Sequence, residues 1–119
     1  MFANTLTLTV NAVPITLTRV NQDNFGSTYK SSDALGNWKL QFRNSVEKST
    51  VIGVPDIERH NMFLEREVYQ VGAGYNKYYS FTSTIRMRLT SDPTVLAQIV
   101  AGAITLLGAQ AGGMITGES

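Results

Sequence analysis

Two short strings place ionisable and hydrogen-bonding side chains at every second position. Lys39, Gln41 and Arg43 form one set; Thr82, Thr84, Arg86 and Arg88 form the other. On an extended chain, residues two apart share a face. Each string thus presents cations beside hydroxyl or amide groups. Cations of this kind neutralise phosphates, while Thr, Gln and Asn reach sugars and base edges. From Gly72 to Ser91 the chain carries Lys77, Arg86 and Arg88 and no acid. Phe63, Tyr69 and Tyr78 add rings that could stack on unpaired bases. The competing reading is a solvated sheet face with cross-strand ion pairs, for instance Arg86 or Arg88 with Glu65 or Glu67.

Catalytic chemistry finds less material. The one histidine, His60, sits in Glu58-Arg59-His60-Asn61, and no nucleophile accompanies it. The absence of cysteine excludes thiolate metal sites, iron–sulfur clusters, disulfides and a Cys nucleophile. Gly72-Ala73-Gly74 lacks the third glycine of a dinucleotide loop, because position 77 is Lys, and it lies between strands. Asp23, Asp33, Asp56 and Asp92 have no EF-hand spacing and read as loop residues. No enzyme, no cofactor and no metal site is therefore expected. Ten Lys and Arg against nine Asp and Glu give a net charge of +1, which announces no polyanion by itself. Charged residues make up 16% of the chain, against about 25% in an ordinary globular domain. Some surface should accordingly be covered by a partner.

The elements that must position these residues follow from the apolar spacing. Length predicts one domain over residues 1–119, with a hairpin and sheet in 1–90 and a helical region in 92–119. Leu6, Leu8 and Val10 alternate with threonines. Val13, Ile15 and Leu17 do the same after Asn11-Ala12, which makes a hairpin. Gly26 to Ser31 reads as a short, weak strand. Trp38, Leu40 and Phe42 oppose Lys39, Gln41 and Arg43. Met62, Leu64 and Val68 oppose Asn61, Phe63, Glu65, Glu67 and Tyr69, with Arg66 interrupting the apolar side at what should be a sheet margin. Tyr79, Phe81, Ile85, Met87 and Leu89 oppose Ser80, Thr82, Thr84, Arg86 and Arg88 on the last strand. Short strands joined by turns imply antiparallel pairing.

After Ser91-Asp92-Pro93, a capped helix start, the period changes. Val95, Leu96, Ile99, Val100, Ala103, Ile104, Leu106 and Leu107 surround the helix nearly all the way. Such a helix needs cover on every side. The sheet supplies one side, so a second copy should supply the other, with Leu96, Ile99, Val100, Ala103 and Leu107 at the dimer interface. No charge occurs from Pro93 to Gly117, yet five glycines and two glutamines interrupt that stretch, which weighs against a membrane span. Gly102 reads as a close-packing position. Residues 109–117, with Gly112 and Gly113, read as a second helix, a short turn or a tail.

The Thr-rich hairpin before Val20-Asn21-Gln22-Asp23, the Trp38-Lys39-Leu40-Gln41-Phe42-Arg43-Asn44-Ser45 strand, and Glu58-Arg59-His60-Asn61 leading to Glu67-Val68-Tyr69 carry a likeness. With the Gly-containing loop, the long strand and the C-terminal helix, the chain resembles the coat protein of the small single-stranded RNA bacteriophages (levivirus type). The likeness covers essentially the whole chain. It implies an α+β fold: an N-terminal β-hairpin, a five-stranded antiparallel sheet and one or two C-terminal helices interlocking with a dimer partner. Dimers would build an icosahedral T=3-type shell, assembled in the bacterial host cytoplasm and found in the virion, with no membrane partner. The loop Gln70, Val71, Gly72, Ala73, Gly74, Tyr75, Asn76 would gather at symmetry axes. The inward sheet face would bind the RNA genome through Lys39, Gln41, Arg43, Asn61, Phe63, Glu65, Glu67, Thr82, Thr84, Arg86 and Arg88. An RNA hairpin that represses translation is a further implication, although the family's base-stacking tyrosine on the last strand has no clear counterpart beside Thr82 and Thr84. A dimeric RNA- or ligand-binding module that forms no shell is the alternative.

Overall fold

The computed structural model describes residues 3–72 and 74–117. Six antiparallel strands form one sheet in the order β1-β2-β3-β4-β5-β6, each paired with its sequence neighbour. They are β1 (Thr5–Val10), β2 (Val13–Asp23), β3 (Gly26–Ser32), β4 (Gly36–Glu47), β5 (Ile57–Val68) and β6 (Lys77–Arg88). The expected hairpin beside a separate five-stranded sheet is thus corrected to one continuous sheet of six. The cause is the length of β2: eleven residues let its first half pair with β1 and its second half with β3, across a bulge between Arg19 and Asn21. The β1–β2 turn holds Asn11 and Ala12 at φ 51° and 63°, the left-handed geometry that matches a two-residue hairpin to strand twist.

The remaining turns are built by carboxylates and an amide. Asp33 Oδ1 accepts from the N–H of Leu35 (2.8 Å) and Gly36 (2.9 Å). Asp23 Oδ1 accepts from Phe25 N–H at 2.8 Å, and Asp56 Oδ1 from Ser49 N–H at 2.9 Å. Asn76 Oδ1 closes the β5–β6 loop on Gln70 N–H at 2.8 Å. These side chains mimic backbone turns, which is the role left to the aspartates in the sequence.

The apolar face of the sheet curls around a small core. Leu17, Tyr29 and Leu40 are its buried apolar side chains among the described residues. Trp38, Phe42, Met62, Leu64 and the β1–β2 leucines pack against them. The strand that read as weak, β3, supplies the centre. Tyr29 is wholly buried, meets the Phe42 ring edge-on at 6.1 Å, and donates its hydroxyl to Ala3 O at 2.6 Å. The interrupting Arg66 is also explained. Its guanidinium lies 4.8 Å over the Trp38 ring, a cation–π contact.

A single helix, α1 (Pro93–Ile115), follows β6, with Asp92 Oδ1 capping Thr94 N–H at 2.9 Å. It runs through Gly112 and Gly113 to Ile115, so residues 109–115 extend the first helix instead of forming a second helix, a turn or a tail. An apolar flank on both sides of the glycines outweighs their cost of about 1 kcal/mol each. None of its residues is buried within one chain, so the cover expected around it is absent from the monomer. Leu96, Val100 and Leu107 are half-buried; Val100, Ala103 and Leu107 line the gap between helix and sheet; Ile99 is exposed. A Cβ on Gly102 would meet nothing within 4 Å, so no close packing occurs there inside one subunit.

The radius of gyration is 17.4 Å, against about 13.5 Å for a compact chain of this length. With so small a core and so open an outline, the isolated chain leaves much of its apolar surface unburied.

Candidate nucleic-acid interface

Strand pairing sets the polar face row by row. Lys30, Lys39, Glu65 and Ser80 lie abreast across β3–β6; Thr28, Gln41, Phe63 and Thr82 form the next row; Gly26, Arg43, Asn61 and Thr84 the next. Ser45, Arg59 and Arg86 follow, then Glu47, Ile57 and Arg88. Every strand residue singled out from the sequence (Lys39, Gln41, Arg43, Asn61, Phe63, Glu65, Glu67, Thr82, Thr84, Arg86 and Arg88) therefore falls on one face. Tyr78 joins the Glu67 end of it. Tyr69 lies beyond β5, and Lys77, opposite Val68, falls on the other face.

Lys30 and Arg59 complete the set and escaped the sequence reading. Lys30 lies on the strand judged weak. Arg59 has the same odd-number parity as Asn61 and Phe63, a signal that extending β5 by two residues would have captured.

The register brings like charges together. Lys30 lies directly opposite Lys39, and Arg59 directly opposite Arg86. Such pairs cost stability, on the order of 0.2–1 kcal/mol each. Carboxylates offset the positive charge of the face in part. Arg86 grips Glu47 through Nε–Oε1 at 3.2 Å and Nη2–Oε2 at 2.5 Å, and Arg43 Nη1 meets Asp23 Oδ2 at 3.1 Å. Arg86 holds the Glu47 carboxyl below its ordinary range. The Phe25 N–H, with Arg43 after it, does the same for Asp23. The cross-strand pairs expected between Arg86 or Arg88 and Glu65 or Glu67 do not form. Glu65 accepts from the Tyr78 hydroxyl at 2.9 Å, and Glu67 from Asn76 Nδ2 at 2.6 Å. The reason is register: Glu65 and Glu67 stand opposite Ser80 and Tyr78, at the far end of β6 from Arg86.

At the centre, Asn61 Nδ2 lies 3.2 Å from Thr82 Oγ1, 3.1 Å from Ser83 O and 3.1 Å from Thr84 Oγ1. The half-buried Phe63 ring lies in the row beside it. The face thus combines cations, fixed amide and hydroxyl groups and one aromatic surface, the equipment for holding a polyanion with bases. His60 Nδ1 lies 2.7 Å from Asn44 Oδ1 on the opposite face, and among the described residues no group of three His, Asp or Glu side chains could hold a metal ion.

The loop expected to mediate assembly, Gln70 to Asn76, lies between β5 and β6. Gly72 and Gly74 adopt φ of 89° and 127°, reserved for glycine in practice. Val71 and Tyr75 are almost fully exposed. Ala73 lies outside the described residues.

A search of curated proteins finds no match to the chain. A family model described as the coat protein of phage phiCb5 matches residues 3–88, the whole of the sheet and its turns. By this match, over most of its length, the chain belongs to the phage phiCb5 coat protein family, as a structural protein of a virion capsid.

Proposed function

We propose that this coat protein dimerises through the free edge of β6 and α1, assembles into a T=3-type icosahedral shell, and packages single-stranded RNA against the face bearing Arg43, Arg59, Arg86 and Arg88. One observation carries the RNA reading. Two cation pairs, Lys30–Lys39 and Arg59–Arg86, oppose each other directly on a single face. The sheet's own carboxylates offset these pairs only in part, whereas a phosphate chain laid across the face would relieve them. Translational repression through an RNA hairpin would be a further use of the same face.

The dimer reading rests on the small core, on an unpaired edge along β6, and on a helix with no buried residue. The shell reading rests on the hairpin tips. Phe25, Val51 and Ile52 are exposed at one end of the sheet, and Leu35, Val71 and Tyr75 at the other. Large apolar side chains on turns at both ends need neighbouring dimers. The helix is also long and apolar enough to cross a membrane by length and composition. Against a lipid partner, our reading assigns the cleft of about 700 Å³ between β6 and α1 to a protein partner, the sheet edge of a second copy. Flotation of the intact chain with lipid vesicles would overturn that preference.

Negative-stain microscopy of the purified chain, with its ultraviolet absorbance ratio, tests shell and RNA together. Uniform spheres with nucleic-acid absorbance are expected, and a clean small dimer would establish the shell-free alternative instead. Replacing Gly72 and Gly74 with Val should leave dimers folded and RNA-competent while impairing or altering closure, because one sequence must fit two kinds of symmetry axis and the loop is the segment free to change. Particles of unchanged size and heat resistance would remove the loop from assembly.

Glu47→Gln should tighten RNA binding several-fold, since it frees Arg86 from its carboxylate. Filter binding at fixed salt measures it, and equal affinity would show that Arg86 does not meet phosphate. The pH dependence has a definite sign. Arg86 lowers the folded-state pKa of Glu47, so stability from this pair is present above the ordinary glutamate range and is lost as pH falls through the depressed value.

A further inference from the structure

We infer that the free edge of β1 is a self-association surface, on which β1 of another copy of this chain adds antiparallel about a two-fold axis at Thr7. This contact goes beyond the dimer reading above, which uses the opposite edge of the sheet.

The phase of the β1–β2 ladder shows what that edge offers. In an antiparallel pair, facing residues alternate between those that exchange both backbone bonds and those that exchange none. Arg19 N–H donates to Asn4 O at 2.8 Å. Asn4 and Arg19 are thus a bonded pair, and the register makes Leu6–Leu17, Leu8–Ile15 and Val10–Val13 bonded too. Thr5, Thr7 and Thr9 face Thr18, Thr16 and Pro14 at the places between. Pro14 fits this phase, because it has no N–H to give and its place needs none. The N–H and C=O of Thr5, Thr7 and Thr9 consequently point outward. As β1 ends the strand order, no strand of the same sheet meets them.

Exposed edges normally carry a charge, a proline or a bulge that discourages pairing. β1 has none of these. Its register against β2 is unbroken, Thr5–Val10 contains no proline, and no charged residue occurs from Met1 to Thr18. The edge is also held in place at both ends. The wholly buried Tyr29 donates its hydroxyl to Ala3 O at 2.6 Å, and Arg19 Nη2 donates to Asn4 Oδ1. The Asn11–Ala12 turn fixes the other end. A strand so fixed loses little conformational freedom when it pairs.

The residues of β1 select another β1 as the occupant. With the axis at Thr7, Thr5 faces Thr9 of the other copy and Thr7 faces Thr7, each pair exchanging two backbone bonds. Leu6 then faces Leu8 of the other copy on the apolar side, where both are only half-buried against the core. Apolar row continues into apolar row, and threonine row into threonine row, with no charge on either strand. A slip of one residue would set each leucine against a threonine and put the bonding groups out of phase. Dimers joined along β6 carry one such edge at each outer end, so this contact links dimer to dimer.

The chain contains no cysteine, so a single introduced one reports the contact in the full-length protein. Thr7→Cys, mildly oxidised after assembly, should yield covalent pairs, because facing Cα atoms in a bonded pair lie about 5.5 Å apart, within disulfide reach. Leu8→Cys should yield few, since its counterpart across the axis is Leu6. Thr7→Lys sets two cations directly opposite each other. Thr7 is exposed in one chain, so the urea midpoint of the subunit should not change. The concentration needed for assembly beyond the dimer should rise about fivefold by sedimentation. Either a missing Thr7→Cys cross-link in assembled particles or unchanged assembly of Thr7→Lys overturns the β1 contact and leaves the β6 dimer and the shell standing. A Thr7→Cys chain that stays a dimer at every concentration without cross-linking overturns both this contact and the shell. One that cross-links yet never exceeds a dimer keeps the contact and moves the dimer interface from β6 to β1.

Discussion

Replacing Arg43, Arg86 and Arg88 together with Ala should lower RNA affinity about 100-fold at moderate salt and shallow the log–log salt dependence by about two units, near 0.7 for each cation lost from a single-strand contact. Salt-titrated binding to RNAs of unrelated sequence measures both, and the loss should be uniform across them, as for any phosphate contact. The single substitutions should differ. Arg43 and Arg86 must each release a carboxylate, Asp23 or Glu47, before meeting phosphate. Arg88 pairs with no carboxylate among the described residues and donates to a backbone oxygen, Pro55 O at 3.3 Å. Arg88→Ala should therefore cost the most. Folding should survive, because all three side chains lie on a solvated face. Undiminished affinity in the triple variant would show that RNA, if bound, lies elsewhere.

Gly26→Ala should unfold the subunit or cost more than about 3 kcal/mol, the range of severe overpacking. A Cβ at this position would sit 1.9 Å from the backbone oxygen of Phe42 and 2.9 Å from its carbonyl carbon. Neither atom can move alone, because both belong to the β3–β4 ladder. The methyl group must push β3 off β4 at the pairs Gly26–Arg43 and Ser27–Phe42, one turn of pleat from the Tyr29–Phe42 contact. Gly102→Ala is the control: nothing lies within 4 Å of its Cβ, and removing an interior helical glycine adds about 0.5–1 kcal/mol to the isolated subunit. Urea denaturation of the two variants compares them directly. Equal midpoints for Gly26→Ala and the parent would mean that β3 and β4 do not approach as described.

Much of the molecule could be read along the chain. Alternation at Leu6–Val10, Trp38–Arg43 and Tyr79–Arg88 located strands because a pleated ribbon sends successive side chains to opposite faces. The same alternation put the RNA-facing candidates on one side before any pairing was known. Asp92-Pro93 marked the helix start, since capping is a local hydrogen bond that needs no distant partner. The excess of apolar residues around α1 is likewise legible in the sequence, and the structure leaves none of them buried within one chain.

Other features depend on what lies across the sheet. Tyr29 became the heart of the core because β3 runs between β2 and β4, and nothing in Gly26–Ser32 itself announces burial. Arg66 looked like a defect in an apolar row until Trp38 was placed opposite it. The partner of Arg86 is Glu47, two strands away, and the clash of Lys30 with Lys39 or of Arg59 with Arg86 exists only once register is fixed. Periodicity specifies which face a residue occupies, because that is decided within one strand. Which residue it meets there is decided by how strands slide past one another, and that depends on turn lengths, on the bulge in β2 and on the packing of the whole sheet.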